Sequence, residues 1–550
     1  MTMARIARKF VRVTKFLLAG VTIFCVSWIA SVNEWHAGVR WRGRQVGMST
    51  MRTIIAYSEG KQAELDRPSP VACDRLPAFP TIPRFNRTWN PNEIPDSSWQ
   101  NVAGTSVSLY SAFYDDRSSQ RYVRILASFQ GRNFPSEVTL YCQTRSLNPY
   151  EESVEVVAAK PLEMWWRKWD YKSPRVLTPL LLSCPRTESL YGPSVVSIVS
   201  EPCDDPTNAF TIDPSHSTSR YERKFTICVK DMKFNKDVSQ NLIEWIETNK
   251  LLGVDKIDIY IDSITKESED VLLHYRNDGY VRLFHVPIIH KPERSLWQRR
   301  RDHIITYNDC LYRNIRESEY IVPLDIDEIV LPKIANTWPE LLKRLSEKGY
   351  DPSEESGVLI QNVFFFDFLQ GIDKYEHKIP SDSKVYIKRD DVRIKRTNNL
   401  DLGEIVLLDD SDSYYNEVID ISDNMNSLEE EYKSRCGKEL PMPKLAKHTI
   451  SSARVSPLGY YSKSLMVTKN VLSAFNHYAL NSLGSMTFAG WPAPFEEVQL
   501  NHYKESCNTT VMEECAWYGQ RARFDRSALR LRGPLTRALA SSICMPINTT

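Results

Sequence analysis

Apolar and polar positions change their rhythm along the chain. Residues 16–32 form an unbroken apolar run with no charge inside it. From 33 to 100 prolines crowd, at Pro68, Pro70, Pro77, Pro80, Pro83, Pro91 and Pro95, and proline-rich chain predicts an extended, semi-rigid stem. From 101 to 200 the pattern is strand-like: 107–110 and 122–126 are rich in β-branched and aromatic residues. This predicts a small β-rich domain, followed by a polar linker over 200–222. After Tyr221 strands and helices alternate. Short apolar strands are predicted at 225–229, 256–262, 280–286 and 319–324. Helical spacing covers 238–252, 268–276 and 296–315. This β-α-β-α-β-α-β order predicts an α/β fold with an open, largely parallel sheet. Ligands of such sheets bind beyond the carboxyl ends of the strands.

The apolar run changes the picture of topology. Arg5, Arg8, Lys9, Arg12 and Lys15 precede it, and 17 residues at about 1.5 Å each just cross a thin bilayer. A positive flank stays cytosolic. The reading is therefore a cytosolic tail (1–15), an N-terminal transmembrane helix (16–32) acting as a signal anchor, and a lumenal body. A cleaved signal peptide is the alternative, but no A-x-A-like site follows Val32.

The chain has 550 residues, is 42% hydrophobic and 25% charged, and carries a formal net charge of +1. Core burial is assured, and no global electrostatic case exists for nucleic acid. Of 11 cysteines, Cys25 lies in the apolar run. The others (Cys73, Cys142, Cys184, Cys203, Cys228, Cys310, Cys436, Cys507, Cys515 and Cys544) are an even set, which predicts disulfides in an oxidising compartment. Cys142 and Cys184 are candidates to staple the β-rich domain. Sequons at Asn86, Asn508 and Asn548 point to the same secretory route.

Chemistry concentrates at Asp325-Ile326-Asp327. A strand delivers two carboxylates, one residue apart, to an open sheet edge. Mn²⁺ or another hard divalent ion takes oxygen ligands of this type. Held there, it would bridge the protein to the diphosphate of a nucleotide sugar and stabilise the leaving group. A second Asp-x-Asp, Asp410-Ser411-Asp412, lies in an acidic stretch and reads as a solvated loop. Other candidates toward the donor are Asp262, at the end of the second strand, and Gln298 and Arg301, from the helix before the metal strand. Each has a plain structural alternative, as a helix cap or a solvated helix face.

The stretch from Lys224 to Pro332 resembles glycosyltransferase family 92. Its pieces are Cys228-Val229-Lys230, 242–247, Leu252-Gly253-Val254, Asp309-Cys310-Leu311 and Leu324-Asp325-Ile326-Asp327-Glu328. Later pieces are 461–465, His477-Tyr478 and Gln499-Leu500-Asn501-His502-Tyr503-Lys504, with Lys504 where the family commonly has Arg. The resemblance covers roughly 222–520, leaving 521–550 as a C-terminal tail. It implies a GT-A type (Rossmann-like) catalytic domain, a type II Golgi membrane protein, and a metal-bound nucleotide sugar. It also implies galactose transfer from UDP-galactose to a glycan acceptor, such as the core fucose of N-glycans. His502 is the implied third metal ligand, with His477 and then His448 as rivals. Transfer from an α-linked donor to a β-linked product inverts the centre and calls for a general base. Glu496 and Glu497 are the candidates, with Trp491 and Phe495 beside them. Two other functions compete. One is a catalytically silent lumenal glycan-binding protein on the same scaffold. The other is a metal-dependent phosphohydrolase, which normally needs more His and Asp ligands.

Overall fold

A computed structural model describes residues 69–92, 98–148, 153–166, 169, 176–187, 190, 192–214, 221–289, 294–370, 386–388, 391–394, 405–408, 422–440, 442–484, 490–506, 515–542 and 544. The expected anchor at 16–32, the Asp410-Ser411-Asp412 motif and the sequons at Asn508 and Asn548 lie outside these residues. Among the described residues no helix is long and apolar enough to cross a membrane.

The fold is mixed α/β. Its first part is antiparallel. Strands β1 (Gln100–Asn101), β2 (Val107–Asp115), β3 (Tyr122–Gln130), β4 (Tyr141–Ser146), β5 (Val154–Ala158), β6 (Lys160–Glu163), β7 (Leu177–Pro185), β8 (Ser194–Val199) and β9 (Phe210–Ile212) build two sheets. Their orders are β1-β2-β3-β7-β6 and β5-β4-β8-β9. Val123, Leu180, Val157 and Val196 fill the space between them. The disulfide Cys142–Cys184 ties β4 to β7 across that core. β9 falls in the stretch expected to be a linker; Phe210 and Ile212 are buried, so its apolar alternation pairs it with β8.

The second part carries the alternating pattern. It runs β10 (Arg223–Lys233), α1 (Ser239–Leu251), β11 (Lys256–Ser263), α2 (Lys266–Asn277), β12 (Val281–His285), α3 (Leu296–Asn314) and β13 (Ser318–Pro323). β10 is buried along most of its length, as expected of a strand covered on both faces. α1 buries Leu242, Ile243, Trp245 and Ile246 against the sheet. It stops at Gly253, whose φ of 87° suits glycine and whose added Cβ would lie 3.1 Å from Pro339. Ser295 caps α3 by accepting from the Gln298 amide at 3.1 Å. The other face of α3 meets Leu126 and Leu181 of the first part, so α3 lies between the two parts.

β12, β11, β10 and β13 are parallel and adjacent in that order. The chain enters at β10, winds outward to β12, then returns to β13 on the other side of β10. The strand order therefore reverses between β10 and β13, and the crevice at their carboxyl ends is the expected ligand position. The sheet continues after β14 (Glu328–Pro332), α4 (Trp338–Glu347), β15 (Gly357–Ile360) and β16 (Asn362–Phe366). β15 pairs antiparallel with a later strand, Lys463–Val467, which also pairs antiparallel with β13. β14 and β16 flank the strand Val498–Lys504 in a separate three-stranded sheet.

Segment 521–550, expected as a tail, is corrected over its described part. Arg521–Phe524 is a strand beside Ile450–Ser452. The helix Arg532–Ser541 buries Leu535 and Leu539 in the main core, and Cys544 is bonded to Cys436. Apolar spacing in this segment was enough to join a core it could not form alone. The proline-rich stretch is likewise tied down at 71–89: Cys73 is bonded to Cys203, and the Trp89 amide donates to the Leu283 carbonyl at the sheet edge.

Candidate metal and donor site

β10 ends in a register shift against β11, between Val229 and Met232. Bulges of this kind re-aim side chains. Lys230 reaches across the strand-order reversal to Asp325, 2.8 Å from its Oδ2. Asp231 instead meets Arg294 at 3.2 Å, Arg299 at 2.9 Å and Nε2 of His303 at 3.2 Å. Its Oδ1 is buried without a hydrogen-bond partner.

Asp325 follows β13 directly, and its amide donates to Glu328 Oε2 at 2.9 Å. This turn sends Asp327 into the same cleft. The third component arrives by β-pairing. Glu328 of β14 stands opposite His502, and Phe364 of β16 stands beside it. The Tyr503 amide donates to the Asp327 carbonyl at 2.8 Å. His502 Nε2 then lies 3.4 Å from Asp327 Oδ2, and Nδ1 lies 3.6 Å from Glu328 Oε1. Both ring nitrogens are buried and neither makes a hydrogen bond. The ring stacks on Phe364 with centroids 5.3 Å apart.

Lysines complete the site. Lys463, fully buried, lies 2.9 Å from Glu328 and 3.7 Å from Asp325. Lys504 lies 2.9 Å from Asp327. Enclosure pushes both aspartates up, but neighbouring basic groups outweigh it. Lys230 and Lys463 hold Asp325 well below the usual carboxylate range, and His502 and Lys504 do the same for Asp327. Both are therefore ionised at any physiological pH. A cleft of about 470 Å³ opens here, lined by Lys230, Asp231, Arg299, Asp325, Asp327 and Lys504 among others.

The donor set fits a hard divalent ion in type: two ionised carboxylates and an imidazole with unpartnered nitrogens. Among the described residues, no group of three or more His, Cys, Asp or Glu converges closely enough to hold a metal by itself. Such an ion would take its remaining ligands from substrate phosphate and water, as Mg²⁺-type sites commonly do.

The other sequence candidates are placed elsewhere. Gln298 exchanges hydrogen bonds with the Leu177 backbone at 2.9 and 3.2 Å. Arg301 is buried over the Trp165 ring, 4.4 Å from its centroid. Both side chains bind α3 to the first part of the molecule, away from the cleft lining; successive residues of a helix point in different directions and cannot all reach one ligand. Asp262 meets Arg294 at 2.9 Å and Lys233 at 3.2 Å, one strand away from the cleft. Glu497, a candidate base, lies in a buried ion pair, held by Arg344 at 2.7 and 2.8 Å and by Lys348 at 3.2 Å. Glu496 is exposed and does not line the cleft. Of the rival histidines, His477 donates from Nδ1 to the Ser462 carbonyl, 2.8 Å away, and burial pushes its pKa down to about 3. His448 pairs with Asp367 at 2.8 Å. The lysines and Asp231 had no role assigned from sequence. Lys230, at a strand's carboxyl end two residues after Cys228, was the readable signal.

Residues 223–378 match glycosyltransferase family 92. The match covers β10 to β16, and so contains Lys230, Asp231, Asp325 and Asp327; Lys463, His502 and Lys504 lie beyond it. Beta-1,4-galactosyltransferase galt-1 of Caenorhabditis elegans is 24% identical over 279 residues, which is 48% of this chain. The chain spans 60% of that relative's length.

Proposed function

We propose that the chain is a glycosyltransferase of GT-A type that moves galactose from UDP-galactose to a glycan acceptor, with inversion. The observation that carries the reading is Asp325 at the strand-order reversal, joined by Asp327 in a cleft rimmed by lysines, with His502 buried beside Asp327. The family-92 match and the galactosyltransferase relative support the donor and reaction class. Asp325, Asp327 and His502 would hold Mn²⁺ or a similar ion, which when bound supplies charge neutralisation for a leaving diphosphate. Lys230 and Lys504 sit where they can hydrogen-bond phosphate oxygens as the sugar departs. Asp231, with an unpartnered oxygen in the cleft wall, can accept from an N–H or O–H of the nucleoside. We further propose that the body is lumenal in the Golgi behind a signal anchor at 16–32. Four disulfides among the described residues support an oxidising compartment.

The test is transfer by the full-length chain in detergent, with Mn²⁺, a panel of UDP-sugars and fucosylated N-glycans. Metal-dependent galactose transfer, abolished in Asp325→Asn and Asp327→Asn, is the expected result. Glycan binding by a folded protein that turns over no donor would establish the silent binding protein instead. Release of sugar without any acceptor requirement would favour hydrolysis.

A further inference from the structure

Two separated segments bring aromatic rings together, and a third adds an exposed tyrosine. Trp166 and Trp169 follow β6, with ring centroids 5.1 Å apart. Phe475 and Tyr478 lie in the hairpin between strands Val471–Ala474 and Ala479–Ser482. Phe475 stacks on Trp169 at 4.5 Å and 21°, and Tyr478 lies 6.4 Å from Trp166. Tyr460 comes from the turn before the strand Lys463–Val467 and is largely exposed. Trp169 and Phe475 could serve simply as cement between the two parts of the molecule. Trp166 and Tyr460 do not fit that role, since they remain 39% and 66% exposed.

The backbone holds this arrangement under strain. Tyr461 has φ of 54°, and no other non-glycine among the described residues has positive φ. Bulky residues rarely adopt that conformation, and it clusters at functional sites. Its effect here is to turn the Tyr461 ring inward, 5.7 Å from Phe364, while its neighbour Tyr460 faces solvent. His477 pins the hairpin to this turn through the Ser462 carbonyl.

Buried side chains link the shelf to the donor site. Asn476 lies between Phe475 and His477, and its Oδ1 accepts from Lys463 at 2.6 Å and from Tyr307 at 2.7 Å. Lys463 in turn is 3.7 Å from Asp325. Arg301 beneath Trp165 fixes the tryptophan segment from the other side.

We propose that Trp166, Tyr460 and Tyr478 form the acceptor subsite and take a neutral glycan. Tyr and Trp combine an apolar face with a polar tip. Their faces cover the C–H side of a sugar ring, and their indole N–H and hydroxyls meet its hydroxyl groups. This assignment rests on the transferase reading above and adds the surface that recognises the acceptor.

The test uses the full-length chain and its Trp166→Ala, Tyr460→Ala and Tyr478→Ala variants, with Trp166→Phe as the conservative control. Two readouts are needed: acceptor and donor KM in the transfer assay, and binding of the same neutral N-glycans without donor. Stacking of about 0.5–1.5 kcal/mol per ring corresponds to a rise of about two- to tenfold in acceptor KM and glycan Kd per variant, with donor KM within twofold and partial recovery in Trp166→Phe. Weaker glycan binding in the variants supports the shelf even if no donor is turned over, so failure of the transferase reading stays distinguishable. Unchanged glycan binding in folded variants, or a parallel rise in both KM values, overturns the proposal.

Discussion

Lys230 and Asp325, 95 residues apart in sequence, meet at 2.8 Å across the point where the strand order of the main sheet reverses. The pair joins the first strand of the α/β unit to the fourth. It keeps an ammonium beside a carboxylate at the crevice formed where the strand order reverses. On the proposed reading Lys230 exchanges this partner for a phosphate oxygen during turnover. Lys230→Ala should therefore raise donor KM at least about tenfold, the equivalent of one charge-assisted hydrogen bond of about 1.5–3 kcal/mol. Acceptor KM should move little. A variant with wild-type donor KM would remove Lys230 from the site.

Glu497 gives a contrasting expectation. Its carboxylate is 1% exposed and held by Arg344 and Lys348. Glu497→Gln should lower unfolding free energy by about 1–3 kcal/mol through weakened charged hydrogen bonds, with kcat and both KM values unchanged. Glu496→Gln should alter neither. Loss of transfer with stability intact would return Glu497 to the chemistry.

Asp302 and His303 are adjacent on α3 and titrate in opposite senses. Burial pushes Asp302 up to about 6, against the pull of Gln298 and Arg294, with Asp231 adding to the rise. Burial pushes His303 down to about 4; Asp231 opposes this, while Lys230 and Arg299 reinforce it. Between about pH 4 and 6 the folded state keeps a proton on Asp302 that the unfolded chain has lost, so this group makes stability fall as pH rises. Between about pH 4 and 6.5 the unfolded chain binds a proton at His303 that the folded state refuses, so this group makes stability rise with pH. Shifts of about 2 units each amount to about 3 kcal/mol at most, and they nearly cancel. Asp302→Asn should expose the histidine slope, losing stability on acidification from pH 6.5 to 4. His303→Gln should expose the opposite slope. Denaturant midpoints measured across that range decide it; parallel slopes in the two variants would contradict the assignment.

The disulfide Cys228–Cys310 joins β10 to α3 directly beneath the cleft, closing a sequence separation of 82 residues. Chain-entropy reasoning for a loop of that size gives about 4 kcal/mol. Replacing both cysteines by alanine should lower stability by an amount of that order. The loosened β10–α3 contact should also weaken donor binding, because Lys230 and Asp231 follow Cys228. Guanidinium unfolding and donor KM on the double variant test both statements.

Much of the α/β unit is legible in the sequence. Apolar runs at 225–229 and 319–324 and helical spacing at 296–315 are local signals, and the elements β10, β13 and α3 lie where those signals fell. The placement of Asp325 at a strand's carboxyl end follows from the same local order. Gln298, Arg301 and Glu497 lie outside the cleft lining, because polarity does not state direction. Arg301 reads as a solvated or ligand-facing arginine, yet it is buried on Trp165.

What sequence alone determined, then, is the run of elements and the carboxylate pair that closes the fourth strand, because periodicity and turn chemistry act over a few residues. Tertiary structure decided everything that depends on long-range pairing. Register between β14 and Val498–Lys504 sets His502 opposite Glu328 and beside Asp327. Strand reversal sets Lys230 against Asp325, and the bond from His477 to the Ser462 carbonyl ties the hairpin carrying Tyr478 to the turn carrying Tyr460. No local pattern encodes these meetings, because each is fixed by the packing of segments roughly a hundred or more residues apart, or by a backbone conformation that only the surrounding core can hold.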